Sequence, residues 1–182
     1  NQIYFVNQII ERFTMTNANP KYDIRNHSVV ETATNTLVGL GTMGSKIHES
    51  VTAIGEYAGR DSKIETLDFH EGITSIGNYA FTYCKSLSSI ALPNTVKSLG
   101  DYAFLRCEKL ANITLSENLT HIREATFANC SSLMSITLPA AITSIGNEAM
   151  FGCSRLSTIN CMATTPPTLG TCAFDKYIVK SE

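Results

Sequence analysis

The sequence contains no tryptophan, and only 16 % of its 182 residues are charged, below the roughly 25 % usual in soluble domains. The 14 basic and 16 acidic residues leave a net charge of −2, without the basic stripe expected of a nucleic-acid-binding protein. No apolar run approaches the ~18 residues of a membrane-spanning helix. The first residues also lack the basic segment and apolar stretch that indicate a signal peptide. Composition therefore argues against a nucleic-acid-binding protein and against a transmembrane protein.

Hydroxyl side chains replace the missing charge, since the chain has 17 serines and 21 threonines. Threonine suits the pleated surface of a strand, and both residues suit turns. The length is sufficient to bury a sizeable core in one domain. Strands and turns are therefore favoured over helices joined by salt bridges.

Four of the six cysteines recur at an interval of 23 residues, which is typical of a repeat protein. An aromatic residue precedes each of the first three by three positions, and methionine takes that place in the fourth unit. Leucine and isoleucine positions keep the same register from Ile64 to Leu156. The repeating residues that we expect in the core are Phe81, Phe104, Phe127, Met150, Cys84, Cys107, Cys130 and Cys153.

Each unit has three parts: L-x-x-I-x-L, then I/V-x-x-I/L after a turn, then G-x-x-A-F-x-x-C. The first part alternates apolar and polar residues and predicts a short strand, and the second predicts another short extended piece. In the third part, apolar residues one and four positions apart predict a helical or 3₁₀ turn. A single unit cannot bury its own apolar edge, so we predict an α/β solenoid, mostly β, of stacked coils of about 23 residues.

The repeat pattern weakens at both ends of the chain, as expected where terminal units cap a stack. Residues 10–15 fit the strand pattern, and 29–38 predict a β-hairpin that turns near 33–35. We therefore predict one domain over 1–182, composed of a degenerate N-terminal repeat (1–63) with a hairpin insertion at about 16–46, four regular repeats (64–155) and a C-terminal capping repeat (156–182).

The unit that ends in G-x-x-A-F-x-x-C resembles the BspA-like leucine-rich repeat, known from bacterial surface proteins of the Bacteroides type. The segments 74–81 (TSIGNYAF) and 92–96 (LPNTV) are close to the consensus of that family. The segments 19–23 and 31–37 together resemble an insertion common in its surface proteins, and 163–169 resembles its usual C-terminal repeat.

This resemblance, which spans roughly 10–178, implies a leucine-rich-repeat solenoid. Family members are typically exported or surface-anchored, and some bind host matrix proteins. The resemblance therefore implies an extracellular or cell-surface location and a partner that is a protein, such as a host matrix protein, or a glycan. It implies no catalytic residue and no cofactor. The sequence departs from the pattern at Arg123, where glycine is usual, and at Gly59 and Met150, where phenylalanine is usual.

The four repeat cysteines point the same way in successive coils, which predicts an inward column of buried thiols. Neighbouring Cα atoms would be about 5 Å apart, but parallel Cβ directions suit a disulfide poorly. Cys161 and Cys172 flank a Pro-Pro loop, and a disulfide between them that pins the last coil remains an open alternative. We expect no metal site, because there is no C-x-x-C motif and the histidines are widely spaced.

The outward residues of the L-x-x-I-x-L strands form the candidate binding surface, here called the strand face, because stacked strands commonly bind the partners of solenoids. The inserted hairpin is the alternative contact element, because insertions on a rigid scaffold often carry function. Its candidate residues are Tyr22, Arg25 and His27. The candidate residues of the strand face are Glu65, Thr66, Asp68, Ser88, Ser89, Asn112, Thr114, Met134, Ser135, Thr137, Thr158 and Asn160.

Taken with the resemblance, these patterns favour a cell-surface or secreted module for protein binding or adhesion, through the strand face or the hairpin. The alternative is a structural spacer within a larger surface protein. An enzyme is not expected, because the sequence has no G-x-S-x-G motif and no Ser/His/Asp set stands out.

Overall fold

The computed structural model describes residues 22–25, 28–40 and 46–174, which wind into stacked coils of β-structure. The first strands along the chain are β1 (Tyr22–Arg25), β2 (Ser28–Glu31) and β3 (Thr36–Leu40). The strands of the L-x-x-I-x-L part are β5 (Thr66–Asp68), β7 (Ser89–Ala91), β9 (Asn112–Thr114), β11 (Ser135–Leu138) and β13 (Thr158–Cys161). The strands of the second part are β4 (Ala53–Ile54), β6 (Ser75–Ile76), β8 (Ser98–Leu99), β10 (His121–Ile122), β12 (Ser144–Ile145) and β14 (Thr168–Leu169).

The L-x-x-I-x-L strands lie on one side of the stack and pair in parallel with their counterparts in the next coil, except between β9 and β11. β5, β7 and β9 form one sheet, and β11 and β13 form another. Leu67 lies opposite Ile90, and Ile90 lies opposite Ile113, so equivalent residues of successive units are direct neighbours. The sequence interval therefore sets the register, as expected for a solenoid.

The strands of the second part form a second parallel side, which the hairpin extends at its N-terminal end. β3 pairs in parallel with β4, and β2 pairs in antiparallel fashion with both β1 and β3. The predicted hairpin is confirmed, since the chain turns between β2 and β3 with Asn35 at a φ of 51°. Leu37 and Leu40 of β3 are fully buried, so the hairpin covers the first coil. The predicted strand at 10–15 lies outside the described residues.

The third part of each repeat is a run of tight turns, so the predicted helical or 3₁₀ turn is wrong: the described residues contain no helix. Within one coil, Thr82 N–H donates to Tyr79 C=O at 3.2 Å. The amide before it points along the stack, because Phe81 N–H donates to Ala103 C=O of the next coil at 2.8 Å. Tyr79 and Tyr83 have left-handed φ values of 55° and 62°. Alternate amides therefore form a third backbone ladder between coils, which a helix could not provide because its amides all point along its own axis.

Phenylalanine rings form a continuous column in the core. Phe104 stacks on Phe81 with a centroid distance of 5.4 Å and on Phe127 with a distance of 5.6 Å, at interplanar angles of 17° and 11°. All three are fully buried, and Met150 occupies the same place in the following coil, also fully buried. The predicted inward positions of these four residues are therefore confirmed.

The glycine that replaces phenylalanine in the first coil makes room for its neighbours. A Cβ atom at Gly59 would lie 2.6 Å from Cδ1 of the Phe81 ring. Phe69 packs edge-on against the same ring, with a centroid distance of 5.9 Å and an interplanar angle of 88°. The aromatic column therefore begins with Phe69 and Phe81, and Gly59 permits that packing.

Candidate functional site

The strand face is largely exposed, as the repeat pattern predicts. Its glutamate, aspartate, asparagine and threonine side chains are exposed, whereas Ser88 and Ser89 are half-buried. Met134 is 45 % exposed, and its Sδ lies 3.9 Å from Nη2 of Arg155 in the next coil. The hydroxyls of Ser88 and Ser157 donate to the preceding coil, at the carbonyls of Glu65 and Met134. The face is therefore a polar surface in which some hydroxyls already have backbone partners.

The strand face is divided into two sheets. β9 is not paired with β11 in the way that β7 is paired with β9. Ile113 at the centre of β9 is only half-buried, whereas its equivalents Ile90 and Ile136 are buried. A ligand that spans the whole face would therefore cross a discontinuity between the third and fourth strands.

The described structure covers only part of the hairpin site predicted as the alternative. Tyr22 and Arg25 lie at the two ends of β1. β1 is an edge strand, since its described pairing is with β2 alone. His27 lies outside the described residues. The hairpin site is therefore still a prediction.

The four repeat cysteines form the predicted inward column. All are fully buried and free, and each Sγ donates to a carbonyl of the preceding coil. For example, Cys107 Sγ lies 3.3 Å from Phe81 O, and Cys130 Sγ lies 3.3 Å from Phe104 O. Burial raises the pKa of both thiols well above the ordinary value, because the thiolate would lose its hydration. These cysteines therefore act as packing residues and not as nucleophiles.

Cys161 and Cys172 are both free and exposed in the structure, so the alternative of a disulfide between them is not realised there. Cys161 ends β13. Cys172 lies on the turn side, with a left-handed φ of 51°. The two residues therefore belong to different parts of the last coil.

The described histidines bond to nearby backbone and hydroxyl groups. His70 Nδ1 accepts the N–H of Gly72 at 3.0 Å, which leaves the proton on Nε2, and Nε2 donates to the carbonyl of His48 at 3.0 Å. His121 Nδ1 lies 2.8 Å from the hydroxyl of Ser144. Among the described residues, no three His, Cys, Asp or Glu side chains are grouped as a metal site would require.

Three half-buried tyrosines on the turn side form a second column, here called the tyrosine column: Tyr57, Tyr79 and Tyr102. The ring centroids are 5.0 and 4.8 Å apart, and the interplanar angles are 16° and 2°. The guanidinium of Arg60 lies over the ring of Tyr57, 5.7 Å from its centroid. Both faces of the Tyr79 ring are thus covered by its neighbours, and the column presents ring edges and hydroxyls outward.

Carboxylates surround the tyrosine column and act on its hydroxyls. The Tyr102 hydroxyl donates to Oε1 of Glu124. That hydrogen bond, followed by partial burial and the charge of Glu124, raises the pKa of Tyr102 to about 12. Burial first, and then the Tyr57 hydroxyl and carboxylates that include Asp101 and Glu124, raise the pKa of Tyr79. The neighbouring carboxylates therefore contribute to both shifts, after burial and hydrogen bonding, because they oppose a second negative charge beside them.

The tyrosine column was not among the predicted contact residues, which lie on the L-x-x-I-x-L strands and in the hairpin. The signal was present: the three tyrosines recur at intervals of 22 and 23 residues, as the core positions do. A second aromatic contact lies on the same side, where the Arg106 guanidinium is 5.6 Å from the ring centroid of Tyr83. Tyrosine and arginine are the residue types enriched in binding hot spots, and the strand-face candidates include neither.

The described residues contain no helix with the length and apolar character required to cross a bilayer.

Most of the chain matches a known protein family. Residues 47–178 match the profile described as the BspA type leucine-rich repeat region, in 6 copies. No curated protein matches the sequence.

Three solved structures are similar to this one. A leucine-rich repeat protein from Eubacterium ventriosum has a TM-score of 0.78 and 18 % identity, over 91 % of this chain and 52 % of its own. A leucine-rich cell surface protein from Faecalibacterium prausnitzii has a TM-score of 0.57 and 23 % identity, over 84 % and 42 %. The pneumococcal vaccine antigen PcpA has a TM-score of 0.58 and 24 % identity, over 79 % and 38 %. At these identities the likeness shows a common fold, and the chain spans about half of these proteins or less.

Proposed function

The chain belongs to the BspA-type leucine-rich-repeat family, and from this premise we propose that it is a protein-interaction module of a cell-surface or secreted protein. One observation carries the proposal: equivalent side chains of successive coils lie in register one layer apart, on a rigid core of stacked rings. Such a scaffold presents extended, preordered surfaces, which lowers the entropic cost of binding a partner.

The strand face is the first surface to test for this function. Its exposed threonine and asparagine side chains offer hydrogen-bonding groups in regular rows. Two of the similar proteins support a surface role, since their descriptions name a cell surface protein and a vaccine antigen. The partner that we propose is a protein of the extracellular matrix, and the function that follows is adhesion. The alternative is a spacer that holds other domains away from the surface.

Binding to a panel of purified extracellular-matrix proteins and to a glycan array tests this proposal. The two informative variants are Thr137→Arg in β11 and Thr120→Arg immediately before β10, because both threonines are exposed and lie on different sides of the stack. We expect Thr137→Arg to weaken binding at least tenfold, because the long charged side chain obstructs the strand face, and Thr120→Arg to leave it unchanged.

Two results would count against this proposal. Retention of no matrix protein and no glycan would favour the spacer. Binding that both variants leave intact would exclude the strand face around β11 as the contact surface.

A further inference from the structure

The tyrosine column has the chemistry of a binding surface that is ordered before a partner arrives. Tyr79 is held between two rings at 5.0 and 4.8 Å, and the turn that carries it is bonded to the next coil through Tyr79 N–H and Asp101 C=O at 2.9 Å. Ring positions fixed in this way cost a ligand no further ordering entropy. Aromatic anchors on a rigid backbone are typical of energetic hot spots.

The geometry of the column restricts what can bind there. A sugar or an aromatic ligand binds tyrosine by stacking on a ring face, and both faces of Tyr79 are already covered. What remains available is the ring edges and the hydroxyl oxygens. Groups that donate hydrogen bonds to oxygen, such as ammonium and guanidinium, match this surface better than flat apolar rings.

The charges beside the column select a positively charged ligand. Glu56, Glu124 and Glu148 are exposed, and among the described residues none of them has an ion-pair partner. Of the cations nearby, Arg60 is 3.2 Å from Asp61 and Arg123 is 3.9 Å from Asp101, so both already face a carboxylate. The three glutamates also contribute to the raised pKa values of Tyr79 and Tyr102, after burial and the Tyr102 hydrogen bond.

We propose that the tyrosine column, with Glu56, Glu124 and Glu148, is a binding site for a basic segment of a partner protein. From Glu56 to Glu148 the site spans four layer steps, or about 19 Å at ~4.8 Å per step. An extended segment of five or six residues covers that length at ~3.3 Å per residue.

The site is separate from the strand face, since its residues belong to the third part of the repeat. The proposal therefore does not depend on the strand face binding a matrix protein. The turn side offers carboxylates beside phenol hydroxyls, which a basic segment complements in charge. The strand face has few charged side chains and does not offer this combination.

Titration of the whole chain with the peptide acetyl-penta-arginine amide tests the proposal. The chain has no tryptophan, and three of its 7 tyrosines form the column, so a ligand bound there should change the tyrosine emission. We expect saturable binding that changes this emission and weakens as salt is added, because exposed charges are screened. Acetyl-penta-glutamate amide should not bind.

A pair of double variants with the same change in net charge separates this site from general attraction to an acidic protein. Glu56→Gln with Glu148→Gln should raise the Kd at least fivefold, the order of magnitude for two exposed charge contacts. Glu71→Gln with Glu117→Gln, also exposed but outside both the column and the strand face, should change the Kd less than twofold. Equal weakening in both double variants, or binding without any change in tyrosine emission, would overturn the proposal. Spermine binding as tightly as the peptide would also overturn it, since a small polyamine would then suffice.

Discussion

Replacement of Phe104 by alanine is the sharpest test of the stacked core. The side chain is fully buried between the rings of Phe81 and Phe127. A buried phenylalanine removes ~200 Å² from water, worth about 5 kcal/mol at ~25 cal/mol/Å², and alanine retains part of that. Two ring pairs are also lost, each worth about 0.5–1.5 kcal/mol. We therefore expect the free energy of unfolding to fall by about 3–5 kcal/mol, as is usual for such core changes.

Phe151→Ala provides the matched control for this experiment. Phe151 is the same residue type two coils further along the stack, but it is 43 % exposed, so its loss should cost about 1–2 kcal/mol. Urea unfolding of both variants, followed by far-UV circular dichroism and by tyrosine fluorescence, gives the two values. A loss below about 1.5 kcal/mol for Phe104→Ala, or equal losses in the two variants, would refute the inward column.

Three further predictions concern the thiols, the backbone contacts and the hairpin. Cys107 should react with a thiol reagent only when the protein unfolds, because its thiol is buried and has a raised pKa, whereas the exposed Cys161 should react in the native protein. Rapid labelling of Cys107 in the native protein would contradict the buried column. Gly100→Ala should lower the free energy of unfolding by about 1–3 kcal/mol in a urea melt, because its Cβ would lie 2.4 Å from backbone atoms of the preceding coil. Gly72→Ala is the control, because the nearest atoms there belong to a histidine side chain and not to backbone, and equal losses in the two variants would disprove the close approach at Gly100. Deletion of residues 1–45 should keep the β-sheet signal in far-UV circular dichroism but lower the urea midpoint of unfolding, since β3 buries two leucines against the first coil. An unchanged midpoint would count against this capping role.

The repeat interval predicted the inward residues because burial in a solenoid is periodic. Phe81, Phe104 and Cys107 face inward as expected, since each coil repeats the same path and places equivalent side chains in one column. The pairing of parallel strands followed from the same interval. Sequence alone was sufficient for this part of the fold.

The conformation of the third part could not be predicted from its apolar spacing. Inward residues one and four positions apart fit a helical turn, and they fit equally a run of turns in which every fourth residue is left-handed. Glycine or asparagine at the left-handed positions would have indicated the turns, because these residues adopt positive φ readily. In the first three coils those positions instead hold Tyr57, Asp61, Tyr79, Tyr83, Tyr102 and Arg106. The backbone bonds between coils override the local preference, and they become visible only when the coils are stacked.

The identity of these left-handed residues bears on what the turn side does. A residue other than glycine at positive φ costs about 1–2 kcal/mol, so the three residues of the tyrosine column together carry roughly 3–6 kcal/mol of backbone strain. Their two stacked pairs return about 1–3 kcal/mol, and the area that each half-buried ring removes from water returns about 2 kcal/mol more per ring. At the same register the later coils hold Ala125 and Glu148, which are also left-handed, with φ of 46° and 52°, so the backbone bonds between coils impose positive φ here without glycine. Burial and stacking together therefore offset the strain, and the same packing that stabilises the column leaves a fixed row of ring edges and hydroxyls beside exposed carboxylates, which is the surface that we propose contacts another molecule.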